Sequence, residues 1–200
     1  RLACAGEGVQ NKITEYNPAT AIGIAREFFW GDLCDWYLEA IKPRLKEGGD
    51  DAGTAQQVLA TCLDQVLRLL HPFVPFITEE LWGSLREIAP VRGIHSPLPD
   101  NDLLCLAQWP ESDTEQRDEK LEDSFSRSQD LIRTLRDLRA RHNVPPRQPL
   151  EVRIKTSDEI ARSFLDLENL LLHLGAFSSI SAGPDQERTI DSAASVAGDI

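Results

Sequence analysis

The chain has 200 residues and a mass of 22.3 kDa, with 41% hydrophobic and 27% charged residues. That is enough for one large domain or a domain with a small companion, and too apolar for a disordered or collagen-like chain. The net charge of −12 excludes a broadly polyanion-binding surface, no apolar run approaches the ~20 residues that span a bilayer, and no basic stretch followed by an apolar core marks a secretory leader.

The charge is unevenly spread. Residues 131–155 hold seven Lys or Arg against two Asp or Glu, whereas residues 93–130 hold three against ten, so any RNA contact is expected to be local and strongly salt-dependent. Four cysteines stand alone at Cys4, Cys34, Cys62 and Cys105, without a CxxC pair or a histidine at ligand spacing. Neither a zinc site nor a redox dithiol is written there, and a reducing, cytoplasmic setting is expected, with Cys34 and Cys62 acting as small buried hydrophobes.

Residues 1–16 read as a lead-in from a preceding domain, because Arg1 opens the sequence with mid-chain character. Asn17-Pro18 predicts a helix start, a capping side chain followed by proline at the first helical position. Helical spacing puts Ile22, Phe29, Leu33, Trp36, Tyr37 and Ala40 on one face and Asp32, Asp35, Glu39, Lys42 and Lys46 on the other. Arg26 and Arg44 fall inside the apolar sector, where each must pair with a carboxylate or look into a groove. Pro43 and Gly48-Gly49 are expected to end this helix.

A second helix, capped by Asp50, Asp51 or Thr54, carries Val58, Leu59, Cys62, Leu63, Val66, Leu69 and Leu70 at helical spacing and stops at His71-Pro72. A third runs through Phe73, Phe76, Ile77, Leu81, Trp82 and Leu85 to Ala89-Pro90. Residues 91–114 form a long connection whose Leu103, Leu104, Leu106 and Trp109 are apolar enough to pack onto the helices. Asp113 or Thr114 is expected to open a fourth, long helix with Leu121, Phe125, Leu131, Leu135 and Leu138 on its core face, ending at Asn143. Residues 17–146 thus read as an antiparallel helical bundle.

Beyond Pro149 the period changes. Leu150–Lys155 alternates as a strand with one apolar face. A helix capped by Ser157 or Asp158 follows through Ile160, Phe164, Leu167 and Leu171, Gly175 suits a left-handed exit, and Phe177 to Ser181 returns as a strand. A further strand is expected at Ala194–Ala197. The fold class is therefore mainly α, an antiparallel helical bundle, with residues 147–200 as a small β-α-β appendage cut short at its end.

No phosphate-binding glycine loop, nucleophile elbow, HExxH helix or paired catalytic carboxylates occurs, so no catalytic residue and no metal ligand is assigned within these residues. His71 and His142 sit at helix ends, where capping and dipole interactions are ordinary. The motif FFWGDLCDWYLEAIKPRL at 28–45, with LLRLLHPFVPFITEELWGSL at 66–85 and WP at 109–110, closely resembles the anticodon-binding helical domain of class I aminoacyl-tRNA synthetases, and within that class the valine-specific enzymes. The resemblance continues through LIRTLRDLRARHNVPP at 131–146. HPFxPFxTEELW is shared with the isoleucine and leucine enzymes; CDWYLE with KPRL is the more discriminating string.

The resemblance implies a parent ligase that joins valine to its tRNA with ATP, accompanied by Mg, while this region grips the anticodon stem-loop of a tRNA carrying a valine anticodon. Phe29, Trp36, Tyr37, Phe73, Phe76 and Trp82 are expected to interdigitate as a core where the first helix meets the second and third. RNA contacts are expected from Lys12, Arg26 and Arg44, with Arg133, Arg136 and Arg141 as an alternative stripe able to straddle phosphates. The competing readings are the anticodon-binding region of an isoleucine or leucine enzyme, and a helical protein-interaction adaptor that ignores RNA, the latter favoured by the acidic segments.

Overall fold

In a computed structural model, which describes residues 1–111, 117–189 and 192–197, the chain divides into two compact units, Arg1–Arg117 and Asp118–Ile200. The first begins with a helix the sequence reading did not assign, α1 (Leu2–Thr14). Its signal is weak because Gly6 and Gly8 interrupt the period, yet Leu2, Ala5 and Val9 keep one inward stripe.

Asn17 caps α2 (Pro18–Glu27), its side chain accepting the Thr20 N–H at 3.2 Å. Small residues let α1 and α2 approach closely: Val9, Ala21 and Ala25 are buried with Leu69, and a Cβ on Gly8 would lie 3.3 Å from Ile24.

The next ten residues, Phe28–Tyr37, wind as a π-helix before α3 (Leu38–Glu47) resumes the α-form. Bonding five residues apart slows the rotation of the helix, so the buried set becomes Phe28, Leu33 and Trp36. Phe29, placed on the core face by a uniform helical period, is only half-buried. Pro43 does not end the helix but lies inside α3, which continues to Gly48 at φ 78°. Proline is disfavoured inside a helix but accommodated here, and the glycine's left-handed backbone makes the stop.

Helix α4 (Gly49–Leu70) starts without the expected side-chain cap, and α5 (Pro75–Ile88) places Pro75 in its first turn. The connection 89–109 is a pinned loop with one short 3-10 turn at Leu104–Leu106. Only Leu104 of its leucines is buried; Leu103 and Leu106 are exposed, while Trp109 packs partly against the Val9, Ala21, Ala25 and Leu69 cluster.

In the second unit, Asp118 caps α6 (Glu119–Arg141) by accepting the Leu121 N–H at 3.0 Å. The expected starts at Asp113 and Thr114 lie outside the described residues. Leu131 and Ile132 are buried, whereas Leu121, expected in the core, is 55% exposed in the first turn of the helix.

Strands β1 (Leu150–Lys155) and β2 (Phe177–Gly183) pair in parallel, joined by α7 (Asp158–Asp166) and α8 (Glu168–Gly175), two helices where one was expected. The left-handed residue at the exit is Ala176 (φ 52°), not Gly175. Gly175 is needed for close approach instead, since a Cβ there would sit 2.1 Å from the Phe177 ring. Residues 194–197 form no strand; Ala194, Ser195 and Val196 are exposed, and their small side chains offer little apolar surface to bury.

Candidate nucleic-acid interface

Buried charge shapes the first unit. Asp64 on α4 is fully buried and accepts from Arg68 Nε at 2.6 Å and Arg92 Nε at 2.7 Å. The remaining guanidinium donors reach loop carbonyls: Arg68 to Gln108 (2.9 Å) and Pro99 (2.7 Å), Arg92 to Ala89 (2.8 Å), and Arg92 also to the Asp100 carboxylate (2.7 Å). Both guanidinium carbons lie over Trp82, 4.8 and 4.7 Å from the ring centroid, and the indole N–H donates to Asn101 O at 2.9 Å. Buried guanidiniums survive because their donors meet acceptors and their faces meet a π-system. The lattice fastens loop 89–109 to α4 and α5, and Glu79 adds to it by accepting the Leu104 and Cys105 N–H groups at 2.7 and 3.2 Å.

Trp82 is therefore core, as the sequence suggested, but packed against two arginines rather than among the other aromatics. Asp64, Arg68 and Arg92 were missed, although an Asp and an Arg four apart among apolar residues are a signal of such a pair. Trp36 is 6% exposed, Phe29 packs against Ala5, Phe28 and Val66, and Phe73 joins the Val9 and Leu69 cluster. Tyr37 donates its hydroxyl hydrogen to Ala55 O at 3.2 Å. Phe76 departs from the expectation: it is 91% exposed, because Thr78 and Trp82 occupy the inward side of α5 and leave Phe76 on the other. A shallow hollow of about 430 Å³ beside it, lined by His71, Pro75, Phe76, Glu79, Glu80 and Cys105, presents carboxylates and no arginine or lysine to a phosphate.

The six basic candidates divide between the two units, Lys12, Arg26 and Arg44 on the first and Arg133, Arg136 and Arg141 on the second. Lys12, in the last turn of α1, is paired with Glu15 at 2.6 Å. Arg26 is exposed rather than buried and makes no hydrogen bond or ion pair among the described residues. It lies eight residues into α2, about 12 Å along the axis from its start. Arg44 is held by both oxygens of Asp51, at 2.7 and 2.6 Å, which keeps the Asp51 carboxyl below its ordinary pKa and raises that of Arg44. Arg44 thus follows the carboxylate-pairing alternative.

On the second unit Arg133, Arg136 and Arg141 lie along α6, with Arg141 exposed and Arg133 bonded to Asp130 at 2.9 Å. Their neighbour Arg139 turns inward instead. It is 5% exposed and donates to the carbonyls of Pro145, Gln148, Gly175 and Ala176 at 2.6–3.1 Å, tying the helix end to two following segments.

One aromatic in the family-like motif was passed over. Trp30 in the π segment is 58% exposed, braced by Phe29 at 5.0 Å in an edge-on contact. Its uniform-period position was at the margin of the apolar face, and the slower π-winding turns it further from the side that buries Phe28 and Trp36. Among the described residues no group of three or more His, Cys, Asp or Glu is placed to hold a metal ion, and no helix is long and apolar enough to cross a membrane.

Comparison with known proteins points to one family. The chain is 38% identical to a valine–tRNA ligase of Thermosynechococcus vestitus over 184 residues, which is 92% of this chain and 19% of that protein. It is 42% identical to the valine–tRNA ligase of Thermotoga maritima over 155 residues, 78% of this chain and 16% of that protein. With the Fusobacterium nucleatum valine–tRNA ligase it shares 34% identity over 203 aligned positions, 99% of this chain and 22% of that protein. The chain thus spans about a fifth of the length of these relatives. Residues 1–154 match the family described as the anticodon-binding domain of tRNA ligase. With that match covering α1 through nearly all of β1, the chain belongs to the tRNA ligase anticodon-binding domain family.

Proposed function

We propose that this chain is the anticodon-binding module of a valine–tRNA ligase, gripping the anticodon stem-loop of a tRNA that carries a valine anticodon. The observation that carries the reading is the match of residues 1–154 to the family, with the valine enzymes among the relatives aligned over most of the chain. The parent would activate valine with ATP, assisted by Mg, and transfer it to tRNA in the cytoplasm. These residues supply recognition, with their chemistry limited to stacking, hydrogen bonding and charge.

The acidic surface fits a recognition role of limited area. A guanidinium or ammonium meets phosphates only locally, so affinity for bulk RNA stays low while a matched loop gains from base contacts. Arg26 offers an exposed cation, unpaired among the described residues, on the first unit, and Arg133, Arg136 and Arg141 offer the basic row of the second. The six basic candidates and the bundle boundary at residue 146 remain part of this proposal.

Nuclease footprinting of a full-length valine tRNA with the 200-residue chain tests it. Protection is expected in the anticodon stem and loop and not in the acceptor stem. Uniform or absent protection at low salt would remove the module reading in favour of a protein-interaction adaptor.

A further inference from the structure

We infer that the exposed indole of Trp30, with the exposed guanidinium of Arg26 one turn before it, is a stacking site for an unpaired nucleobase. The inference rests on the anticodon-binding reading and names a residue outside the six basic candidates. Three aromatics of the same π segment are treated differently by the fold: Phe28 and Trp36 are 7% and 6% exposed, whereas Trp30 is left 58% exposed. Phe29 braces the ring edge-on at 5.0 Å and 70° without covering it, so the indole is held in place with area open to solvent. Aromatic rings presented in this way bind bases of any identity through their π-faces, and π-helical segments occur frequently at functional sites.

The surroundings favour nucleic acid over a protein partner. Trp30 is a lone large aromatic on its side of the helix: four residues before it is Arg26, seven before is the exposed Gly23, and five after is the exposed Asp35. A protein-docking face would be a contiguous apolar patch. Residues four apart on a helix are neighbours, so a base on the indole brings its own backbone phosphate toward Arg26. Of the nearest carboxylates, Asp32 is taken up by Arg1 at 2.5 Å, and Glu27 lies over Gly31 on the same helix.

The test is a titration of the 200-residue chain with a short RNA hairpin bearing a valine anticodon, at low salt, following both binding and tryptophan emission. Trp30→Ala is expected to weaken binding by about tenfold or more, and Trp30→Phe, which keeps a ring, to stay within about threefold. Binding should quench the wild-type emission and leave that of Trp30→Phe largely unchanged. Arg26→Ala should weaken binding several-fold and flatten its salt dependence.

A Trp30→Ala chain that binds like wild type overturns the stacking site while leaving the module reading intact. If Trp30→Ala fails to fold, the emission of Trp30→Phe decides: quenching retained in that variant places the base elsewhere. A wild-type chain that binds no hairpin removes the module reading and the stacking site together.

Discussion

Replacing Asp64 by Asn removes one negative charge from a site where two guanidiniums converge. Asp64 is 0% exposed, Arg68 5% and Arg92 2%, so water cannot take over as counter-charge. The amide keeps the shape but can accept at only one of the two positions now bonded at 2.6 and 2.7 Å. Breaking a buried pair by removing one partner costs about 3–5 kcal/mol. For a unit of the size of Arg1–Arg117, at about 4 °C per kcal/mol, the melting temperature should drop by roughly 12–20 °C.

Guanidinium denaturation followed by tryptophan emission reads the loss, because both arginines lie over the Trp82 ring. The midpoint should fall without a change in slope. Asp100→Asn is the control: Asp100 touches the same Arg92 at 2.7 Å, but its side chain is 39% exposed, and the loss should stay below about 1 kcal/mol. An Asp64→Asn chain within about 1 kcal/mol of wild type would refute the claim that this lattice fastens loop 89–109.

Gly175→Ala should destabilise the second unit by about 1–3 kcal/mol, since the new methyl meets the Phe177 ring. Gly53→Ala, in an open position of α4, should stabilise by about 1 kcal/mol; calorimetry of both variants checks the pair, and equal effects would contradict the packing described. Burial pushes the Cys62 thiol up to about 11, whereas Cys4 and Cys105 are exposed. A thiol-specific reagent should therefore modify Cys4 and Cys105 first and Cys62 last, and four equal rates would contradict this order.

The folded form holds the Cys62 proton longer than the unfolded chain, so stability should decline as pH rises above the ordinary thiol value toward about 11. Burial would raise the Asp100 carboxyl, but hydrogen bonds from Arg92 and Arg86 outweigh it and hold the pKa below its ordinary value. The stability this contributes is present above the unfolded pKa and is lost as pH falls through the folded one. Urea titrations between pH ~5 and ~2 should show a loss that Asp100→Asn lacks.

Much of the fold was legible because its helices are punctuated by residues with a single mechanical meaning. Asn17-Pro18 starts α2, Gly48 stops α3, and the alternation at Leu150–Lys155 makes β1. What was not legible has physical causes. The π segment rotates more slowly than any uniform helical template allows, which exchanged Phe28 for Phe29 in the core and exposed Trp30. Pro43 within α3 and Ala176 in the left-handed region show tertiary packing overriding local preference. Among the basic side chains, the sequence identified candidates by type, but the fold decided their partners: Arg139 serves backbone carbonyls, Arg44 serves Asp51, and Arg26 is exposed with no bond among the described residues.

The most direct test of the central claim is competition between hairpin RNAs for the chain. A hairpin with a valine anticodon should displace a labelled copy of itself at least about tenfold better than one with the same stem and a permuted loop, with affinity falling steeply as salt rises. Equal displacement by both hairpins, or better displacement by an isoleucine or leucine anticodon, would contradict the assignment of this bundle to reading valine tRNA.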